Sequence, residues 1–298
     1  MKTFSFIIPH HNTPDLLQRL IDSIPQREDI EIIVVDDNSD DDKKANISRP
    51  DVKKIFIDKE HTKGAGKARN VGMSIATGKW LLFADADDCY SEYLPIFLDK
   101  YADDNMTDIV YMNANIFDEN NYVTTLDIGS LIHNYLSGEK YSEMNLRYAC
   151  WTPWTRMVKR DIVEYYNIKY DEIPAGNDVV FGLNCSKYSH SIKVEDNVVY
   201  LYFKSSKGSS TDKARLQMVD SRLDLRGRII SIQKQVKYKY CSTFASLFFT
   251  FVKEYDMSPI EAYRLCRNYQ KKYNVSLISD TFQFLINLAH KFKQHFKQ

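Results

Sequence analysis

Two groups of acidic residues follow short apolar segments and could bind a cation or a ligand rich in donors. The first, DADD at residues 85–88, comes directly after the apolar segment Trp80–Ala84. Asp85 and Asp87, two residues apart at the end of a strand, can converge through the turn, and such a pair suits Mg²⁺ or Mn²⁺, which keep few protein ligands. The alternative is a solvated turn that caps the next helix, because Asp is common there.

The second acidic group, DDNSD at residues 36–40, follows the apolar segment Ile30–Val35. A carboxylate at a strand end can accept the N3–H of a uracil, and neighbouring Asn and Ser side chains can meet ribose hydroxyls. The alternative is an Asx-turn with exposed acids. Unpaired acids at two strand ends are costly unless a cation or a donor-rich ligand meets them, so these groups are the first candidates for a site.

Two further motifs lie where helices are expected to begin. The pair His10-His11 in PHHN does not suit a metal, because neighbours on an extended chain point to opposite sides, and we expect this loop to pack near a ligand. GAGKARN at residues 64–70 has neither the Walker A nor the GxGxxG spacing. Its Lys67 and Arg69 could still face a diphosphate.

These motifs need a framework of strands and helices, and the first 112 residues predict one. The predicted strands are Phe4–Ile8, Ile30–Val35, Lys54–Ile57, Trp80–Ala84 and Ile109–Met112, and the predicted helices begin at Pro14 and cover Gly64–Ala76 and Tyr93–Tyr101. This alternation predicts a largely parallel sheet covered on both faces. Ligands of such sheets bind outside the carboxyl ends of the strands, where both acidic groups lie.

The composition excludes several classes of protein. With 298 residues, of which 44% are hydrophobic and 27% charged, the chain can bury a core in one large domain or two ordinary ones. No apolar run reaches the ~20 residues of a membrane-spanning helix, and the apolar stretch near the N-terminus is too short for a signal peptide. Five cysteines without paired or metal-ligand spacing indicate a reducing compartment and argue against a zinc site or disulfides.

The C-terminal part of the chain differs in charge and pattern. From residue 225 onward the chain has 13 basic and four acidic residues, a net charge of +9 in a chain that is neutral overall. The pattern is helical from about Lys213, with a capping box at Ser258–Glu261. The last segment places one apolar stripe between Lys and His residues: Phe282, Leu285, Ile286, Ala289, Phe292 and Phe296. The stripe fits either a membrane surface or a helical cap or dimer contact; nucleic-acid binding is not expected.

Taken in order, the motifs resemble family 2 glycosyltransferases of the GT-A fold. The segments IIPHHN, EIIVVDDNSDD, GAGKARNVGMSIATGKWLLFADADD and AGNDVVFG carry the resemblance, in detail over residues 3–115 and more loosely to about 212. It implies an α/β, Rossmann-like catalytic domain over residues 1–212, with a mostly parallel central sheet flanked by helices. A helical, basic region would follow over residues 213–298.

The resemblance also implies an activity and its partners. It implies inverting, metal-dependent transfer of a sugar from a nucleotide-sugar, most often UDP-linked, to a hydroxyl of a glycan or lipid-linked glycan. The cofactor would be Mn²⁺ or Mg²⁺. The setting would be bacterial capsule, lipopolysaccharide or similar cell-surface polysaccharide synthesis in the cytoplasm, with peripheral membrane contact or a homodimer as further expectations.

Roles for individual residues come from the same resemblance. Asp37 would contact the uracil, Asp87 the metal that bridges the diphosphate, and Asp85 the ribose or a metal-bound water. The nucleotide-binding residues would be Pro9, Asn12, Asp37, Ser39, Arg69, Asp85 and Ala86, and the metal ligands Asp87 and Asp85.

The family commonly has an acidic pair in the segment PAGNDVVFGL, where one carboxylate acts as the base. Here Asn177 occupies the first position, so Asp178 is the candidate base; its alternative role is an N-cap. Trp154 and Tyr202 resemble acceptor-side residues, with core packing as the alternative for Trp154. The segment that follows, with Lys204 and Ser209-Ser210, resembles one that closes over donor and acceptor in the family.

Two other classes of function stay open. A nucleotidyltransferase would need a Gly-rich phosphate loop in the first strand–helix turn, and IIPHHNTPD is not one. A non-catalytic module that binds a sugar nucleotide or a glycan would use the same residues without turnover.

Overall fold

The computed structural model describes residues 2–61, 64–117, 123–125, 127–173, 175–204 and 218–295. The chain divides into two compact units, Met1–Lys207 and Gly208–Gln298. The boundary predicted between residues 212 and 213 falls within 205–217, outside the described residues.

Nine strands form one sheet in the described part of the first unit. They are β1 (Phe4–His10), β2 (Ile30–Asp37), β3 (Val52–Ile57), β4 (Trp80–Phe83), β5 (Cys89–Tyr90), β6 (Ile109–Phe117), β7 (Val123–Thr125), β8 (Arg156–Lys159) and β9 (Ile192–Phe203). Their order is β3-β2-β1-β4-β8-β6-β9-β5, with β7 paired to β6. The strands β3, β2, β1 and β4 run parallel, as do β6 and β9, whereas β5, β7 and β8 pair antiparallel.

Helices flank this sheet, as predicted. They are α1 (Pro14–Asp22), α2 (Ala65–Ile75), α3 (Leu94–Tyr101), α4 (Asp127–Leu136), α5 (Ser142–Ala149), α6 (Arg160–Tyr165) and α7 (Val179–Tyr188). Every residue of β1, β2 and β4 is buried, because the sheet is covered on both faces. Gly72 lets α2 lie close to β1, since a Cβ there would come 2.6 Å from Ile7 Cγ2. The predicted α/β fold is confirmed.

The second unit is helical, as predicted, with α8 (Val219–Gln235), α9 (Phe244–Glu254), α10 (Pro259–Lys272) and α11 (Leu277–His295). It has an apolar core of its own, which includes Leu223, Phe244 and Phe251. The predicted start of α10 is confirmed, because Ser258 Oγ accepts a hydrogen bond from the backbone N–H of Glu261 at 3.3 Å. Among the described residues no helix combines the length and apolarity that crossing a membrane requires.

Candidate active site

The parallel strands bring the predicted site segments to one edge of the sheet. In the register of the sheet, His10 at the end of β1 lies opposite Asp36 near the end of β2. On the other side of β1, Ile7 lies opposite Phe83 at the end of β4. The segments PHHN and DDNSD, in which β1 and β2 end, and DADD, which follows β4, therefore lie at the same edge of the sheet.

Asp36 is a structural residue that organises the loop after β2. Its buried carboxylate accepts hydrogen bonds from the backbone N–H groups of Ser39 (2.8 Å) and Ala45 (2.9 Å) and from His10 Nδ1 (2.9 Å). Burial opposes the ionised form of Asp36, but these hydrogen bonds outweigh it and hold the carboxyl pKa below its ordinary value. The backbone N–H of Thr13 donates to His10 Nε2 at 3.2 Å, so the proton on His10 lies on Nδ1, facing Asp36. The sequence predicted no partner for His10.

The predicted nucleotide-binding residues of this loop lie together. The backbone N–H of Asn12 donates to Ser39 Oγ at 2.9 Å, and Asn12 Oδ1 accepts from the N–H of Asp40 at 2.8 Å. Asn12 has φ 59°, a left-handed conformation that Asn adopts more readily than most residues. Pro9 is buried within β1, and Asp37 Oδ2 accepts from the backbone N–H of Gly64 at 2.9 Å. The end of β2 is thus tied to the start of α2.

Arg69 on α2 joins the DADD turn to the segment of the candidate base. Its buried guanidinium donates from Nη2 to Asp85 Oδ1 at 2.5 Å and from Nη1 to Asn177 Oδ1 at 2.9 Å. Asn177 directly precedes Asp178. Lys67 also pairs within the chain, with its Nζ 3.5 Å from Glu172 Oε1. The role of these cations toward a diphosphate stays a prediction.

Tyr170 and Asp171 are attached closely to α2. Asn70 exchanges two hydrogen bonds with the backbone of Tyr170, donating to its carbonyl at 3.0 Å and accepting from its N–H at 2.9 Å. A Cβ at Gly66 would lie 2.0 Å from the carbonyl oxygen of Asp171, so only glycine permits this approach. The motif GAGKARN therefore acts in the structure as the clamp that holds the segment of the candidate base.

Asp88 and Tyr200 anchor the DADD turn from the other side. The Tyr200 hydroxyl donates to Asp88 Oδ2 at 2.7 Å and accepts from the backbone N–H of Asp85 at 3.0 Å. The N–H of Phe203 donates to Asp88 Oδ1 at 2.9 Å. Burial, reinforced by the charge of Asp85, raises the pKa of Asp88 to about 8. The sequence assigned no role to Asp88; the only signal for it was a third acid next to the DxD pair.

Asp85 and Asp87 are the carboxylates of this turn that suit a cation. Both are half-buried, Ala86 between them is buried, and the carbonyl of Asp87 accepts from Arg19 Nη2 at 2.5 Å. Burial and then the charge of Asp85 raise the pKa of Asp87. A cation would relieve this repulsion of like charges.

The residues fit a divalent ion whose remaining coordination positions are filled by the bound ligand and water rather than by further protein side chains. In the part of the chain that the structure describes, no three His, Cys, Asp or Glu side chains are arranged as metal ligands. A set of one or two carboxylates is what Mg²⁺ and Mn²⁺ use when phosphate oxygens and water fill the other positions. Asp87, with Asp85, matches that set.

Asp178 stands at the N-cap position of α7, but within the described residues its side chain makes no capping hydrogen bond. The alternative role as a cap is therefore not realised. Burial raises the pKa of the Asp178 carboxyl, Arg69 opposes this, and the charge of Asp85 adds to it. A half-buried carboxyl with a raised pKa that does not cap its helix suits a proton acceptor.

The predicted acceptor-side aromatics lie against each other. Trp154 is 5% exposed and stacks on Tyr200 at 4.9 Å and on Tyr202 at 5.3 Å between ring centroids. Core packing, the alternative for Trp154, therefore describes its environment, while Tyr202 is half-buried at the edge of this stack. Lys204 is exposed, and Ser209-Ser210 lie outside the described residues.

Comparison with known proteins identifies relatives of both sequence and fold. The profile of glycosyl transferase family 2 matches residues 5–166. The uncharacterized glycosyltransferase EpsJ of Bacillus subtilis is 27% identical over 66% of this chain and 60% of its own length. The GalNAc(5)-diNAcBac-PP-undecaprenol beta-1,3-glucosyltransferase of Campylobacter jejuni is 37% identical over 30% of each chain. This chain thus spans less than two thirds of either relative.

A solved structure shares the fold at low sequence identity. Staphylococcus aureus TarS (residues 1–349), in complex with UDP-GlcNAc, superposes with a TM-score of 0.68 at 18% identity, over 91% of this chain and 80% of TarS. The sheet and its flanking helices are those of the GT-A fold, and the family profile covers more than half of the sequence. The chain therefore belongs to glycosyl transferase family 2.

Proposed function

We propose that this chain catalyses inverting, metal-dependent transfer of a sugar from a UDP-sugar to a hydroxyl of a glycan or lipid-linked glycan. The observation that carries the proposal is the bridge made by Arg69, which binds Asp85 at 2.5 Å and Asn177 at 2.9 Å. This bridge joins the acidic turn suited to a metal diphosphate to the carboxylate suited to deprotonate an acceptor. Together they would supply both halves of a glycosyl transfer, the site of the leaving diphosphate and the base for the acceptor.

The donor would bind along the ends of β1 and β2. Asp37 would accept the uracil N3–H, and Asn12 and Ser39 would meet the ribose, with Pro9 and Ala86 lining the pocket. The solved complexes of TarS with UDP-GlcNAc and UDP favour a uridine nucleotide.

Mn²⁺ or Mg²⁺ would be held by Asp87 with Asp85. When bound, the ion neutralises the charge that develops on the leaving diphosphate. The solved complex of the mannosyltransferase PcManGT from Pyrobaculum calidifontis, which contains GDP-Man and Mn²⁺, supports a metal in this role.

Asp178 would act as the base. Its carboxylate takes the proton of the acceptor hydroxyl while that oxygen attacks the anomeric carbon from the face opposite the diphosphate. The bond from the anomeric carbon to the diphosphate oxygen breaks with its electron pair, so UDP leaves and the configuration inverts. Tyr202 would lie along the acceptor sugar.

We place the reaction in the synthesis of a bacterial cell-surface polysaccharide, in the cytoplasm at the inner face of the membrane. The Campylobacter relative is named for a glucosyl transfer to an undecaprenol-linked glycan, and another relative, ExoO of Rhizobium meliloti, is named for succinoglycan biosynthesis. These names support a lipid-linked or polymeric acceptor.

The proposal is tested with a panel of nucleotide-sugars and Mn²⁺ or Mg²⁺, measuring released nucleoside diphosphate. Asp178→Asn should bind UDP as tightly as the wild type but lose turnover by ~100-fold or more. Asp161→Asn, which changes an exposed acid on α6, is the control and should keep full activity. Transfer with retained configuration, or full turnover by Asp178→Asn, would refute the proposed mechanism.

The metal assignment has a separate test in calorimetry of UDP binding with and without EDTA. We expect Asp87→Ala to abolish the part of the UDP affinity that depends on Mn²⁺. Equal UDP affinity in wild type and variant, unchanged by EDTA, would remove the assignment. Release of pyrophosphate from a nucleoside triphosphate and a sugar phosphate would instead identify a nucleotidyltransferase.

A further inference from the structure

Helix α11 turns three polar side chains, those of Asp280, Gln283 and Asn287, toward the rest of the C-terminal unit. Gln283 Nε2 donates to the carbonyl of Lys239 at 2.8 Å, and Asn287 Nδ2 donates to the carbonyl of Cys241 at 2.8 Å. One turn earlier, the buried carboxylate of Asp280 accepts from the backbone N–H groups of Phe244 (3.0 Å) and Ala245 (2.8 Å). These hydrogen bonds fix which face of the helix points inward.

The opposite face of α11 is apolar and exposed. Four side chains form this face, which we call the outer stripe: Ile278, Phe282, Leu285 and Leu288, with 82%, 65%, 55% and 40% of their surface exposed. A helix on the surface of a globular protein normally has the reverse arrangement, with its apolar face inward. Of the stripe predicted from the sequence, Phe282, Leu285 and Ala289 are exposed, Ile286 is half-buried, and the side chains of Phe292 and Phe296 lie outside the described residues.

An apolar groove runs beside the outer stripe within the same unit. It lies between α9, α10 and α11, has a volume of about 350 Å³, and has five aromatic side chains among those that line it. Phe249, half exposed, stacks on Phe284 at 5.3 Å between ring centroids, and Leu285 belongs both to the groove and to the stripe. The groove and the stripe therefore form one continuous apolar surface.

The C-terminal unit that carries this apolar surface is basic. Arg267 lines the groove, and Arg264 and Lys271 are exposed on the same helix, α10. From residue 225 onward the chain carries a net charge of +9. Two copies that met through this surface would bring like charges together, whereas an anionic lipid surface would be attracted to it.

We propose that the C-terminal unit docks on an anionic lipid bilayer through this surface. The outer stripe would enter the boundary between headgroups and acyl chains, the basic residues of α10 would meet lipid phosphates, and the groove would take one acyl chain. An amphipathic helix that lies in the interface combines these features, an apolar face and cationic flanks. The inference does not depend on the reaction proposed above.

The test is flotation of the full chain with vesicles of phosphatidylglycerol and phosphatidylcholine, compared with vesicles of phosphatidylcholine alone. We expect binding to the anionic vesicles that weakens as the salt concentration rises. Phe282→Asp should lower that binding about tenfold or more, since it removes an inserted ring and adds a negative charge. Ser221→Asp, which adds the same charge at an exposed position on α8, is the matched control and should bind nearly as the wild type does.

Circular dichroism and urea unfolding of each variant show whether the chain has folded. Binding to neither kind of vesicle at low salt, or equal binding by wild type and a folded Phe282→Asp variant, would overturn the proposal. It would also be overturned by a wild-type dimer in analytical ultracentrifugation that Phe282→Asp converts to a monomer without any lipid binding. That result would identify the surface as a contact between copies of the chain.

Discussion

The hydroxyl of Tyr200 donates a 2.7 Å hydrogen bond to the buried carboxyl of Asp88. The same hydroxyl accepts from the backbone N–H of Asp85 at 3.0 Å, so one side chain of β9 contacts both ends of the DADD turn. Tyr200 thereby fixes the backbone from which Asp85 and Asp87 project. It is a positioning residue, because it is fully buried and its hydroxyl acts through the turn.

Replacing Tyr200 by Phe tests this relationship. The variant leaves Asp88 Oδ2 and the Asp85 N–H without the Tyr200 hydroxyl, while Asp88 Oδ1 keeps its bond from the Phe203 N–H. A buried polar group left unsatisfied costs about 1–3 kcal/mol. We expect that loss in chemical unfolding, together with weaker Mn²⁺-dependent UDP binding in calorimetry. Tyr90→Phe is the matched control, since Tyr90 is also buried, packs edge-to-face against Tyr200, and donates a long bond of 3.5 Å to the Phe83 carbonyl. Equal effects of the two substitutions would contradict the positioning role.

Gly66 offers a test of the clamp between α2 and the segment of the candidate base. In Gly66→Ala the new Cβ would meet the carbonyl oxygen of Asp171 at 2.0 Å, and this backbone atom can yield only if the segment moves. A displacement of about 1 Å at a reacting group can cost ~100-fold in rate, so we expect a loss of that order in kcat/KM. Gly129→Ala on α4 is the control, because its nearest neighbour is a side-chain atom, Asn113 Oδ1, at 3.2 Å. Unchanged kcat/KM in Gly66→Ala would show that the segment is not held as described.

The pH dependence of turnover should report the state of Asp178. Burial raises the pKa of this carboxyl, and a base works only when it is deprotonated. As the pH is lowered, activity should therefore begin to fall at a pH above the ordinary carboxyl pKa. Arg69 holds the pKa of Asp178 down, and Arg69→Gln should therefore move the acid limb of kcat/KM to higher pH. Lys67→Gln removes one positive charge from the same helix and should leave the limb nearly in place. If Arg69→Gln does not shift the acid limb, the group whose ionisation limits activity is not Asp178.

The first half of the sheet could be predicted because each of its strands has a local signal in the sequence. Apart from Ser5 and Glu31, the segments Phe4–Ile8, Ile30–Val35 and Trp80–Ala84 are apolar throughout, as expected for strands buried on both faces, and each is followed by a turn or helix signal. The later strands lack this signal. In β9 polar and apolar residues mix, and the strand pairs parallel with β6 and antiparallel with β5, partners that lie far away in the sequence.

The candidate site was predictable as a set of segments but not as a set of contacts. The ends of β1, β2 and β4 follow from the strand pattern. That Arg69 would bind Asn177, 108 positions away, follows only from how α2 packs. The roles of Asp36 and Asp88 were hidden for a related reason, since the sequence does not distinguish a buried carboxyl that holds a turn from a neighbouring carboxyl that faces a ligand.

A buried carboxylate at the far end of the sheet gives the last prediction. Glu31 on β2 is 3% exposed, and its Oε1 accepts from Ser5 Oγ at 2.6 Å and from the backbone N–H of Thr77 at 2.5 Å. Its Oε2 accepts from Lys53 Nζ at 2.7 Å. Burial opposes the charge of Glu31, but these hydrogen bonds, led by that from Lys53, outweigh it and lower the pKa from 4.5 to about 2.

A carboxyl whose pKa is lower in the folded state contributes stability above its unfolded pKa and loses it as the pH falls toward the folded pKa. For Glu31 this contribution is about 3 kcal/mol, complete above about pH 5 and declining from there toward pH 2. We therefore expect Glu31→Gln to lower the free energy of unfolding by up to that amount at pH 7. The difference between variant and wild type should stay constant down to about pH 5 and shrink below it. Urea unfolding across this range measures it, with the exposed Glu28→Gln as control. A difference that grows as the pH falls would mean that Glu31 is not held as an anion in the folded chain.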